Sequence, residues 1–337
     1  MLRTRLCFVL IAVSGVLLFL ADILLGSTSI RAADVWAALT GGSVDATLRD
    51  VVLKFRLPKA VVAVAVGAAL SASGLQMQTL FRNPLAGPYV LGISSGASLG
   101  VALFLLGLPL FGGAIPEAFR NIGMAGAAWI GSALVLTAIM SLSARIKDIM
   151  TILILGIMFG SVASAFVDIL QYVSSESALK SYVIWNMGSL GGVSAGQLNM
   201  LLIVVTVGLL CSVLLIKPLN MLLLGENYAR TMGLNIRFTR ILIFVSTTLL
   251  AGTVTAFCGP VGFIGIAVPH IARMLFARAD HRILMPASML LGAVVMLLSD
   301  VISRMPGSDM ILPINTVTAL LGIPVIIVVI IRNRKFF

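Results

Sequence analysis

Ten stretches of this chain are apolar for close to the roughly 20 residues that a helix needs to cross a bilayer. They run over 6–26, 60–80, 89–110, 121–142, 150–172, 196–216, 238–258, 261–276, 283–303 and 312–331. No other feature restricts the fold as strongly. In hydrocarbon every backbone N–H and C=O needs a partner within the protein, and a helix supplies them all within one segment. The runs therefore predict an all-α integral membrane protein with about ten transmembrane helices. No long polar segment remains for a second domain, so residues 1–337 are expected to form a single transmembrane domain. The eighth run is short and is interrupted by Gly262, Gly265 and Pro269. The first 26 residues begin with basic residues like a secretory leader. Their apolar stretch is long enough to span and lacks a clear small-x-small cleavage site, which predicts a retained first helix.

The net charge of +11 raises the question of nucleic acid. Membrane topology accounts for it better, because Lys and Arg collect on the cytoplasmic side of spans. With the N-terminus inside, the cytoplasmic segments hold Arg3, Arg5, Arg82, Arg145, Lys147, Lys217, Arg230, Arg237, Arg240, Arg273, Arg278, Arg282, Arg332, Arg334 and Lys335, which is 15 of the 23. The outer segments hold Arg31, Arg49, Lys54, Arg56, Lys59, Arg120, Lys180 and Arg304, the other 8. Both termini are expected in the cytoplasm and no nucleic-acid partner is expected. Lys54, Arg56 and Lys59 cluster on the wrong side and need a separate explanation.

Three connecting segments carry patterns of their own. Outer segment 27–59 includes RAADVWAAL, which predicts a short surface helix. Outer segment 173–195 offers Ser175 as a helix cap and Trp185 as an interfacial residue. Cytoplasmic segment 217–237 alternates apolar and polar residues at helical spacing, and Gly225 and Gly233 divide it into two short helices.

Residues 81–100 read FRNPLAGPYVLGISSGASLG. Pro84 and Pro88 lack backbone donors and disfavour helix before them, while Arg82 and Asn83 are costly deep in lipid. FRNPLAGP, residues 81–88, is predicted to be a tight turn at the inner membrane surface. Gly92, Gly96 and Gly100 then share one helical face, matching Gly67, Ser71, Gly74 and Gln78 on the preceding run. Close helix packing is the expected role of both stripes. The larger polar Gln78 is the one candidate for lining a solute pathway.

Catalytic patterns are missing. Only two histidines occur, His270 and His281, with no H-E-x-x-H motif, no nucleophile elbow and no phosphate-binding G-x-x-x-x-G-K-[ST] loop. Cys7, Cys211 and Cys258 stand far apart in apolar runs and suit packing rather than metal ligation. No cofactor or metal is expected. Asp22, Asp168 and Asp300 lie toward outer helix ends, and Asp300 stands four residues before Arg304, a natural partner. The chain reads as a translocation pathway energised by another subunit.

Its motifs resemble those of the FecCD-type permeases, the transmembrane subunits of bacterial ABC importers for iron-siderophores, haem and cobalamin. The matching blocks are RLPK at 56–59, GAALSASGLQMQTLFRNPLAGPYVLGISSGA at 67–97, YVIWNMGSLGGV at 182–193, LGENYARTMGLN at 224–235, GPVGFIGIAVPHIAR at 259–273, DHRILMPASMLLGAVVMLLSDVISR at 280–304 and LPINTVTALLGIPVIIV at 312–328. The resemblance implies a type II ABC importer permease fold with ten transmembrane helices. It implies a homodimer with the pathway on its two-fold axis, in the bacterial inner membrane. Two cytoplasmic ABC ATPase subunits and a periplasmic or lipid-anchored solute-binding protein would be its partners, with membrane lipid around it. Asn83, Pro84 and Leu85 match the family's cytoplasmic gate, with loop 143–149 beside it. Segment 217–237 matches its coupling helices, where Leu222, Leu223, Leu224 and Met232 would fill a groove on the ATPase. Glu226 and Arg230 there would pair with the ATPase or with each other. Arg56, Lys59 and Arg304 match basic residues that receive acidic side chains of the binding protein. Lys59 stands where the family usually has arginine, so Arg56 is expected to carry more of that contact.

The resemblance implies import of a ferric siderophore or haem, with cobalamin as the alternative in the same family. An ion-coupled secondary transporter is the alternative of another class. A membrane-embedded enzyme would need a nucleophile–base pair that the sequence does not present.

Overall fold

The computed structural model describes residues 2–26, 30–110, 116–143, 146, 148–304 and 311–332. The helices, in chain order, are α1 (Leu2–Leu24), α2 (Ala32–Thr40), α3 (Ala46–Leu80), α4 (Ile93–Leu110), α5 (Glu117–Ser143), α6 (Ile149–Val173) and α7 (Glu176–Asn186). They continue as α8 (Ala195–Leu214), α9 (Ile216–Leu223), α10 (Glu226–Thr231), α11 (Ile236–Cys258), α12 (Ile264–Phe276), α13 (His281–Ser303) and α14 (Ile314–Arg332). Among the described residues nine helices are long and apolar enough to cross a membrane, and the shorter α12 is the tenth apolar element. The ten expected runs are all present.

One boundary and one cap differ from expectation. Helix α3 begins at Ala46, well before the predicted edge at 60. Asp45 accepts from the Leu48 amide at 3.4 Å and starts it, and the turn over Val51–Arg56 is π-helical. Hydropathy misses this stretch because Asp50 and Lys54 are polar, yet they pair along the helix at 2.6 Å. Helix α7 starts after Ser175, but no side-chain cap bond forms there. Elsewhere the capping signals act as chemistry requires. Asp148 accepts from Met150 and Thr151, Asn235 from Phe238, and Ser194 with Gln197 forms a reciprocal capping box.

Helix α3 is the axis of the molecule, and most of its length is buried. Its small residues let neighbours approach to backbone contact. A Cβ on Gly67 would collide with the Gly292 carbonyl of α13, and one on Gly74 with Gly265 of α12. The second stripe works in the same way. Gly96 abuts Gly131 of α5, and Gly92 abuts Gly156 of α6. Lipid offers no hydrophobic drive for helix pairing, so close dispersion contact and interhelical hydrogen bonds hold such bundles. One polar knot supplies the latter: the Gln76 amide donates to Ser212 at 2.6 Å and to Ser246 at 3.2 Å, while Thr247 donates to its carbonyl oxygen at 3.2 Å. This ties α3 to α8 and α11.

Candidate gate, coupling and docking sites

The turn after α3 is held from several sides. Arg82 adopts a left-handed conformation (φ 50°), unusual for a side-chain-bearing residue. Asn83 Oδ1 accepts from the Leu85 amide at 2.9 Å, and the Asn83 carbonyl accepts from Ala86 at 3.1 Å. Asparagine followed by proline thus closes a local turn through its own side chain. From α12, His270 Nε2 donates to the Pro84 carbonyl at 2.7 Å. Asn83, Pro84 and Leu85 remain half-buried. Of the loop expected beside them, Ala144, Arg145 and Lys147 lie outside the described residues.

Gln78 does not line an open path in this chain. It is buried, its amide donates to the Ile266 carbonyl at 3.1 Å, and its oxygen accepts from Arg273 at 2.5 Å. Through the Ile266 carbonyl and the Arg273 guanidinium, both on α12, the amide clamps α3 to α12.

Segment 217–237 forms the two expected short helices, α9 and α10. Gly225 (φ 111°) separates them in a conformation that a side chain would strain. Leu223, Leu224, Tyr228 and Met232 are exposed, whereas Leu222 turns inward with Leu219 and Ala229. The expectation that Leu222 fills an external groove fails for that reason. Glu226 does not pair with Arg230. It accepts from Arg240 on α11 at 2.6 Å, while Arg230, inside the same short helix, stays exposed. Tyr228 was not expected, although its place two residues after Glu226 on an amphipathic turn is a usable signal.

This segment is wired to the rest of the bundle. Arg82 donates to the Leu222 carbonyl at 3.4 Å, and a cavity of about 400 Å³ lies between the turn and α10. Asn220 Nδ2 donates to Asp280 at 2.6 Å. Its Oδ1 accepts from the His281 amide and from His281 Nδ1, each at 2.8 Å. His281 Nε2 lies 2.8 Å from the Thr79 hydroxyl at the end of α3. The Arg282 amide, then the Asn220 side chain, hold the Asp280 carboxyl below its ordinary range. Sequence reading missed Asn220 and Asp280, since no motif marks a contact across sixty residues.

At the opposite end of the bundle, Arg56, Lys59 and Arg304 do come together, around a cavity of about 530 Å³. Their charges are engaged internally. Arg304 is only 9% exposed; it donates to the Asp22 carbonyl at 2.7 Å and the Leu25 carbonyl at 2.6 Å, and it pairs with the carboxylates of Asp22 (3.1 Å) and Asp300. Lys59 contacts Asp300 at 2.9 Å. Arg56, 6% exposed, donates to the Ile23 and Leu24 carbonyls at 3.0 and 2.8 Å. Arg56 and Arg304 therefore cap the end of α1, while Arg304 and Lys59 neutralise two buried acids. Lys59 is the most accessible of the three.

Known proteins share this architecture. The sequence profile of the FecCD transport family matches residues 13–332. The vitamin B12 import system permease protein BtuC of Salmonella typhimurium is 39% identical over 313 residues, covering 91% of each chain. That of Citrobacter koseri is 39% identical over 327 residues, covering 95% of this chain and 93% of the relative. A solved metal-chelate type ABC transporter in an inward-facing conformation superposes with a TM-score of 0.82 at 30% identity, covering 97% of this chain and 99% of that one. PsaBC from Streptococcus pneumoniae shares the fold at a TM-score of 0.52 and 18% identity.

Proposed function

The chain belongs to the FecCD transport family, and from that premise we propose that it is the permease of a binding-protein-dependent ABC importer that carries a metal chelate across the bacterial inner membrane. Two copies form the pathway on their shared axis, with both termini in the cytoplasm. Two ATPase subunits bind inside, and a periplasmic or lipid-anchored binding protein delivers solute from outside. One observation carries the reading most: the apolar patch of Leu223, Leu224, Tyr228 and Met232 is exposed on short helices anchored by the Glu226–Arg240 pair. An amphipathic helix that offers such a patch suits a groove on a partner. Through Arg82 and Asn220 a push on that patch reaches the Asn83–Pro84–Leu85 turn and the ends of α3 and α13. That connection is what an ATP-driven gate requires.

The solute is an iron chelate, a ferric siderophore or haem. A corrinoid is the second reading, favoured by the BtuC relatives. At the outer end, acidic groups of the binding protein meet Lys59 first, competing with Asp300 for it, while Arg56 and Arg304 hold the shape of the mouth. Titrating the binding protein with haem, cobalamin and ferric siderophores, read by absorption, identifies the solute. Reconstitution with the ATPase then tests the mechanism. ATP-dependent uptake is expected, and uptake driven by an ion gradient without the ATPase would overturn it in favour of a secondary transporter.

A further inference from the structure

Helix α6 carries polar side chains where a lipid-facing helix would not keep them. Ser161, Ser164 and Asp168 are exposed and follow one another at i, i+3 and i+7, so they share a face. The neighbouring face, with Met158, Val162 and Phe166, is exposed and apolar. A carboxylate turned to hydrocarbon is expensive, and among the described residues Asp168 has no ion-pair partner. The polar face is one wall of a groove of about 500 Å³, with Tyr89 and Ser95 on the other. Backbone contact fixes its floor. A Cβ on Gly156 would approach the Val90 carbonyl oxygen to 2.7 Å, and one on Gly160 would approach Ser95 Oγ to 3.2 Å. The groove is thus lined by hydroxyls, rigid at its base and negatively charged toward one end.

We propose that this groove is the solute-facing wall of the pathway and that Asp168 sorts chelates by charge, passing neutral and cationic ones with hydroxyl or amide surfaces in preference to polyanionic ones. The inference rests on the permease reading above and adds the substrate class to it. Hydroxyls exchange for the chelate's water without gripping it, which suits passage. A single negative charge at roughly 8 Å from a trianion disfavours it about tenfold in unscreened water and about threefold at physiological salt.

The test reads the groove without needing the natural solute. A Ser164→Cys variant of the full chain in nanodiscs is reacted with a cationic and with an anionic methanethiosulfonate reagent. The unmodified chain serves as background for its own cysteines, and a cysteine on the exposed face of α10 serves as the solvent reference. The cationic-to-anionic rate ratio at Cys is expected to exceed the reference about threefold or more. Adding Asp168→Asn should bring it to the reference value, and Asp168→Glu should preserve it. No reaction with either reagent would show that the face is sealed or in lipid, overturning the pathway wall. A ratio indifferent to Asp168→Asn would overturn charge sorting. ATP-driven uptake, which tests the permease reading, is measured separately, so either conclusion can fail without the other.

Discussion

Replacing Arg304 with alanine separates two roles for the same side chain. A docking residue at a surface can be removed at a cost of about 0.5 kcal/mol or less. The geometry requires far more. Arg304 satisfies two carbonyls at the end of α1 and faces two carboxylates that are 0% and 1% exposed, Asp22 and Asp300. Lys59 reaches only Asp300 among them, so Asp22 would lose its one ion-pair partner among the described residues. Breaking a buried pair from one side costs about 3–5 kcal/mol, because the abandoned charge stays desolvated. That is at least about a hundredfold in the ratio of folded to unfolded protein. The assay is denaturant titration in mixed micelles, followed by the fluorescence of Trp36, Trp129 and Trp185. Asp22→Asn added to Arg304→Ala should recover part of the loss, since it removes the stranded charge while Lys59 still neutralises Asp300. A loss under about 1 kcal/mol, with no recovery in the double variant, would refute the structural role and return Arg304 to the surface.

Three further outcomes follow from the same geometry. Leu224→Asp places a charge on the exposed patch without touching the Glu226–Arg240 pair, and should lower ATPase co-purification at least about tenfold while the chain still inserts; unchanged co-purification would remove α9 and α10 from the coupling interface. Leu85→Cys should crosslink between the two copies in at least one nucleotide state, which requires their Cα atoms to come within about 7 Å; failure in every state would exclude the turn as the gate. The Asp280 carboxyl is held below its ordinary pKa range by the Arg282 amide and the Asn220 side chain, so the stability it contributes is complete above its unfolded value and is lost as pH falls through the lower folded one. The difference in thermal midpoint between the natural chain and Asp280→Ala should hold constant from about pH 8 to about pH 5; shrinkage within that window would contradict the assignment.

Hydropathy alone specified ten apolar elements and their order, because burial of a backbone in hydrocarbon leaves helix as the only local solution. The small-residue stripes likewise announced close packing, since Gly67, Gly74 and Gly96 can serve a helix surface only by admitting another backbone. Local turn chemistry was legible too: Asn83 before Pro84 closes its turn through atoms two residues apart. What the sequence left undecided were partners across long separations. Arg304 had an obvious mate at Asp300, but Asp22 and Leu25 join it, and Lys59 joins Asp300, only because the end of α1 and the first half of α3 lie beside the end of α13. Glu226 had Arg230 four residues on in the same helix, yet packing brings Arg240 of α11 to its carboxylate instead. Gln78 looked like a pathway group, yet in the fold it is held by Arg273 and the Ile266 carbonyl of α12. Periodicity follows from the chain's own geometry and can be read along it. Which buried charge meets which is set by how the helices pack, and a charge in a low-dielectric interior takes whatever counter-charge the packing brings near.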